Sequence, residues 1–243
     1  MVLFCRSGYV GRIGLAVLTA LTLAGCSVVG AVKSAAHKIE GNRATVDAFA
    51  GKLQTGEATP FEATYVTSGT SPATVVYADR PPQDLLFSDT AASGMTTLDL
   101  IANTSGEYSC SASAARSAPT CETLDSANAS AENQILNIYT PGHWINFLKG
   151  GSLVAGLAGD KVSSSTMEIN GFNMKCIDLV APGVPGTSTI CSTAQGILGY
   201  VKVASVSTSF TIKSYSSSPP DSLFQLPAGA KITALTTPTS LAG

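Results

Sequence analysis

Six cysteines, two histidines and sixteen acidic residues carry most of the chemistry available to this 243-residue chain. A zinc site is not expected from them. No C-x-x-C pair occurs, and His37 and His143 are not spaced as ligands. Nucleophilic catalysis would need a base beside its nucleophile, and only these two imidazoles could serve. No G-x-S-x-G elbow, H-E-x-x-H pair or glycine-rich phosphate loop is present. Asp79, Asp84, Asp89, Asp99, Glu107, Glu122, Asp125, Glu168 and Asp178 are scattered, as surface acids are. The expectation is therefore no enzyme, no catalytic residue, no metal and no cofactor.

One cysteine has a different setting. Arg6 and Arg12 form a short basic region without acids, and Ile13 to Leu23 is almost wholly apolar. That is the pattern of a secretory signal. The run is too short for a transmembrane helix, which needs about 20 apolar residues. It ends in Leu23-Ala24-Gly25-Cys26, which resembles the lipobox of bacterial lipoproteins. The resemblance implies that the Cys26 thiol takes a diacylglycerol and that the chain is cut just before it. Residues 1–25 are then a signal peptide, and Cys5 is discarded with it. The exported protein is expected on the outer face of the cell membrane, with the lipid bilayer as its first partner.

Four cysteines remain, and an even number in an exported protein implies disulfides. Three pairings are possible. The local one, Cys110–Cys121 and Cys176–Cys191, is expected, because each pair brackets a polar, turn-rich segment between extended stretches. Each bridge would contribute about 2–4 kcal/mol.

Cutting after residue 25 leaves 218 residues of the 243, enough for one domain or two small ones. The formal charge is −2, and losing Arg6 and Arg12 makes it −4. Nothing basic marks a nucleic-acid partner. Charged residues are only 12% of the chain, and Ser, Thr, Ala and Gly are abundant instead.

The elements that must position these residues follow from periodicity. Residues 26–33 are small and read as a lipidated tether. From Ser34 to Gln54, Ile39, Val46, Phe49, Ala50 and Leu53 recur at helical spacing, and Lys38, Glu40, Arg43, Asp47 and Lys52 can face water. Phe61, Ala63 and Tyr65 then alternate with polar residues, and residues 60–78 read as a hairpin. Further strands are expected at Asp84–Ser88, Met95–Ile101, Gly106–Ser111, Ser163–Ile169, Phe172–Val180, Ile197–Ala204 and Ser207–Lys213. Residues 112–131 read mostly as loop. A second helix is expected from His143 to Ala158, with Trp144, Phe147, Leu148 and Gly151 on one face. Its glycines soften it, which suits a lid. Asn103-Thr104-Ser105 and Asn128-Ala129-Ser130 fit the glycosylation sequon.

This order resembles the actinobacterial lipoproteins of LolA-like or LprG/LppX-like fold. The match rests on the lipobox at Cys26 and on the helix followed by Phe61-Glu62-Ala63-Thr64-Tyr65. It rests also on Gly106-Glu107-Tyr108-Ser109-Cys110, on Gly171 to Cys176 with Cys191 and Gly196-Ile197-Leu198, and on Phe224-Gln225-Leu226-Pro227-Ala228-Gly229. The resemblance implies an α+β fold: a curved antiparallel sheet, or half-barrel, with two or three helices on its concave face. Residues 34–235 would form that single domain, and residues 236–243 a flexible tail. It implies binding or carriage of a lipid-like apolar molecule.

Several strands carry apolar residues on both faces, such as Val75-Val76-Tyr77 and Leu85-Leu86-Phe87. A single-layer sheet with one face in water does not need that. Either the second face is packed elsewhere or an apolar cavity is present. Candidate cavity residues are Phe61, Tyr65, Val75, Tyr77, Leu86, Trp144, Phe147, Leu148, Phe172 and Met174. The rival function is a structural lipoprotein that touches an envelope protein partner and holds no small molecule.

Overall fold

The computed structural model describes residues 25–69, 72–94, 96–113, 118–124, 136–149, 161–206 and 208–234. The expected signal, except for Gly25, and the expected tail therefore lie outside the described residues, as do Gly150, Gly151, Gly156 and Gly159 of the expected soft helix. The chain divides into two compact units, Met1–Glu40 and Gly41–Gly243. The described part of the first is helical and opens α1 (Gly25–Glu57), so the stretch read as a tether is helix. No described helix is long and apolar enough to cross a membrane.

In the second unit the described strands form one sheet of twelve. The first six, β1 (Phe61–Ser68), β2 (Ala73–Arg80), β3 (Asp84–Ala91), β4 (Thr96–Asn103), β5 (Gly106–Ser113) and β6 (Thr120–Thr123), pair in sequence as an antiparallel meander. So do β7 (Lys161–Ile169), β8 (Phe172–Val180), β9 (Ser188–Ser192), β10 (Leu198–Lys202) and β11 (Ser209–Ser216). The meanders join where β1 pairs antiparallel with β11. The β7–β8 hairpin turns on Asn170-Gly171, both at positive φ (54° and 80°), the pair that tight two-residue turns favour. The Asn170 amide donates to the Ile212 carbonyl of β11 at 2.8 Å. That strand lies three places away in the sheet order, so this half of the sheet curls back on itself.

The expected architecture needs correction. The sheet is mixed, not antiparallel, because β12 (Lys231–Ala234) runs parallel to β6 at one edge. Described α-helix is confined to α1, α2 (Pro141–Lys149) and residues 136–137, so two or three helices lining a concave face is not what is found. After β11 the chain crosses β3 and β4 as a 3₁₀ helix, Asp221–Phe224, and returns beside β6. A four-residue strand has too few alternations to announce itself in sequence. The same holds for β6, inside the stretch read as loop, and for the five-residue β9.

This crossing explains the two-sided apolarity of β2 to β4. One cluster holds Val46, Phe49, Ala50 and Leu53 of α1, Trp144, Ile145 and Leu148 of α2, and Phe61, Tyr65, Val75, Tyr77, Phe87 and Leu100 of the sheet. A second holds Ala78, Leu86, Ile101, Tyr108 and Phe224, with Leu223, Leu226 and Ala230 packed against it. Adjacent residues of a strand point to opposite faces, so Phe87 and Leu86 serve different cores. Arg80 pins the crossing. Its guanidinium donates to Asp84 at 2.7 and 2.9 Å, pairs with Asp221 and stacks 4.7 Å from the centre of the Phe224 ring. The Asn103 amide donates to the Phe224 carbonyl at 2.8 Å, so this sequon asparagine is already engaged.

Both bridges join directly paired residues, Cys110 with Cys121 across β5–β6 and Cys176 with Cys191 across β8–β9. This is the local pairing expected from the sequence.

The C-terminal turn of α1 rests backbone to backbone on the β9–β10 turn. A methyl group added at Gly56 would lie 2.3 Å from the Gly196 carbonyl oxygen. Gly196 itself has φ +85°, which other residues adopt only with strain. Gly56→Ala is accordingly expected to destabilise the fold by about 1–3 kcal/mol, as overpacking does. A urea melt measures it, and an unchanged midpoint would show that the approach is not close.

Candidate functional site

Of the ten candidate cavity residues, seven meet in one core: Phe61, Tyr65, Val75, Tyr77, Trp144, Leu148 and Met174. Phe172 packs at its margin. Leu86 belongs to the second cluster, on the other face. Phe147 is 40% exposed on α2, edge-on to Trp144, because Trp144, Ile145 and Leu148 define the buried face of that helix.

The packing around Tyr139 is aromatic throughout. Its ring centre lies 4.8 Å from Phe210, 5.4 Å from Phe87 and 5.7 Å from Tyr65. These are ordinary packed-ring distances. Periodicity does not mark Tyr139, because it precedes the helix and belongs to no periodic run. The start of α2 fixes its place: the Thr140 hydroxyl accepts from the His143 amide at 3.4 Å, and Pro141 occupies the first helical position. The Trp144 indole then donates to the Ile138 carbonyl at 2.8 Å, closing the segment on itself. Burial holds the Tyr65 and Tyr139 hydroxyls in their neutral form, pushing both pKa values up, and the Tyr65 hydroxyl has no hydrogen-bond partner among the described residues.

Open space lies beside this core. A groove of about 720 Å³ runs between α1 and the β7–β8 hairpin. From α1 it is bordered by Ala44, Thr45, Ala48, Phe49 and Lys52, a stripe at helical spacing next to the buried stripe. From the hairpin come Ser164, Ser165, Thr166, Lys175 and Cys176. A second hollow of about 490 Å³ shares Lys52, Thr166 and Lys175 with it, and adds Met167, Glu168 and Met174. The two form one trough along the helix. Met174 alone of the ten expected cavity residues borders it. The sequence marks Lys52 as a polar position on the helix. It cannot show that β7 and β8 stop opposite, because that depends on the twist of the sheet.

No family model matches this chain, and no curated protein matches it. Among solved structures the chain is similar to the protein in the crystal structure of MucB, with a TM-score of 0.42 and 10% identity over 76% of this chain and 64% of that one. It thus spans less than two thirds of that chain's length. A likeness of this size says nothing of what the chain does.

Where α1 ends, β2 supplies a half-buried carboxylate. Burial pushes the Asp79 pKa up to about 6, and neighbouring Glu57 adds to the rise, while the Tyr77 hydroxyl, its hydrogen-bond partner, opposes it. Glu57 also abuts Gly142 at the start of α2, so the carboxylates meet at the junction of both helices with the sheet. A carboxyl whose folded pKa is raised binds its proton better in the folded chain. Stability is therefore expected to fall as pH rises from about 4 to about 6. Asp79→Asn removes this dependence, and its melting temperature is expected to exceed that of the parent at pH 7 but not at pH 4. Equal differences at both pH values would contradict the assignment.

Among the described residues no three His, Cys, Asp or Glu side chains are grouped to hold a metal ion. His143, its pKa lowered by burial, stands edge-on to Trp144.

Proposed function

We propose that this protein is an envelope lipoprotein, anchored to the outer face of the membrane through Cys26, that binds a lipid-like apolar molecule between its sheet and α1. It is a binding protein and not an enzyme. The observation that carries the reading is the trough: its larger part, about 720 Å³, is of the size that small-molecule sites have, roughly 300–1,000 Å³. On its α1 wall Ala44 and Ala48 are small and leave room, and Phe49 adds apolar surface beside Thr45 and Lys52. The Leu-Ala-Gly-Cys ending supports the anchor. An acyl anchor would hold the trough near a source of such molecules.

Mass spectrometry of organic extracts tests the binding half. The protein is purified as the Cys26→Ser variant, so that no anchor lipid is present. A stoichiometric apolar molecule is expected in the extract. Extracts that are empty from several preparations, together with no uptake of an added alkyl fluorophore, would overturn it in favour of a structural lipoprotein that works through a protein partner.

A further inference from the structure

Lys52 and Lys175 each border both parts of the trough, one from α1 and one from β8. Lys52 is half-buried and Lys175 exposed. Neither side chain takes part in an ion pair or a hydrogen bond among the described residues. Arg43 lies 4.0 Å from Asp47 and Arg80 is held by Asp84 and Asp221, whereas Lys149, Lys161, Lys202, Lys213 and Lys231 also lack an ion pair among the described residues. Lys52 and Lys175 differ from these in bordering one shared space. Two unpartnered ammonium groups bordering one narrow space repel each other, and an anion placed between them removes that repulsion.

The rest of the lining says what else the anion carries. Among the described residues no acidic side chain borders the larger hollow, where Ala44, Ala48, Phe49 and Cys176 supply apolar surface. Cys176 is tied up in its disulfide and offers no thiol. Glu168 borders only the smaller hollow, so negative charge is disfavoured at that end and favoured at the shared middle. The hydroxyls of Ser164 and Thr166, on one face of β7, and of Thr45 on α1 can donate to the same anion, while Ser165 points to the other face and donates to Asp178.

We infer that the trough selects acyl molecules with an anionic head, a carboxylate or a phosphate. Lys52 and Lys175 hold the head, and the Ala44–Ala48–Phe49 stripe takes the chain. The inference rests on the function proposed above and names its ligand class. It needs both halves of the molecule. A free anion gains nothing from the apolar stripe, and an uncharged chain leaves the lysines as they are.

The test displaces an uncharged alkyl fluorophore, N-phenyl-1-naphthylamine, from the Cys26→Ser protein with dodecanoate, dodecanol or acetate. Dodecanoate is expected to compete about tenfold better than dodecanol, and acetate not at all. Raising the salt from about 0.05 to about 0.5 M should weaken dodecanoate and leave dodecanol alone, because Lys175 is exposed and Lys52 only half-buried, so salt screens both. Lys52→Gln with Lys175→Gln should remove the preference for dodecanoate over dodecanol, and Lys52→Arg with Lys175→Arg should restore it. Equal binding of dodecanoate and dodecanol, or an unaltered preference in the glutamine variant, would overturn the head-group assignment and leave the binding function standing. Competition by acetate alone would reduce the site to an anion site and overturn it too. Failure of the fluorophore and of both chains to bind would overturn the binding function itself, and the ligand class with it.

Discussion

Cys26→Ser is expected to abolish incorporation of labelled palmitate and to release the protein from carbonate-washed membranes. The magnitude comes from the anchor. Each buried CH₂ contributes about 0.8 kcal/mol, one acyl chain binds a membrane only marginally, and two hold it stably. With the anchor proposed above, removing the thiol would remove every acyl chain at once, so the expected effect is a change of compartment and not of degree. No described helix is long and apolar enough to cross a membrane. A serine variant that remains as firmly membrane-bound as the parent would contradict the anchor, whatever it left of the binding function.

The Cys176→Ser, Cys191→Ser variant is expected to lose about 3 kcal/mol of unfolding free energy, the loop-closure value for a separation of about 15 residues. Cys110 and Cys121 are 11 apart, so that bridge contributes slightly less. The Cys176–Cys191 bridge also has a position that the other lacks. Cys176 borders the trough, and β9 is a strand of only five residues between β8 and β10. Without the bridge the floor of the trough is held by β9 pairing, by the packing of Met174, Ile177 and Leu179 in the core and by the Asn170–Ile212 hydrogen bond. Equilibrium urea unfolding of the two double-serine variants measures both losses. A loss under about 1 kcal/mol at Cys176–Cys191 would mean that the short strands are fixed by packing and not by the cross-link.

Legible in the sequence is whatever repeats along the chain. Val46, Phe49, Ala50 and Leu53 are the buried stripe of α1, and Phe61, Ala63 and Tyr65 are the buried face of β1, as their spacing requires. The cysteine pairs are legible because each flanks a short polar segment. Features that depend on where the chain returns are not. β12 beside β6 is set by the crossing of residues 217–230, which no local pattern encodes. Tyr139 is recruited to the core by Phe87 and Phe210 from opposite halves of the sheet. The two-sided apolar strands announce that a second cover is needed. That cover is the Phe224 segment, visible in the sequence as a motif but not as a layer on the other face. Seven of the ten candidate cavity residues therefore belong to the main core, and the open space lies beside that core, with Phe49 and Met174 bordering both.

An apolar ligand lies, on this reading, against α1 opposite β7 and β8, and filling that space tests its position most directly. Ala48 is exposed and borders only the larger hollow, so a bulky side chain there can enter the trough without disturbing the core. With Ala48→Trp, titration of the naphthylamine fluorophore is expected to show at least about tenfold weaker binding at an unchanged melting temperature. Parent-like affinity in a variant that folds normally would place the ligand elsewhere and contradict the trough as its site.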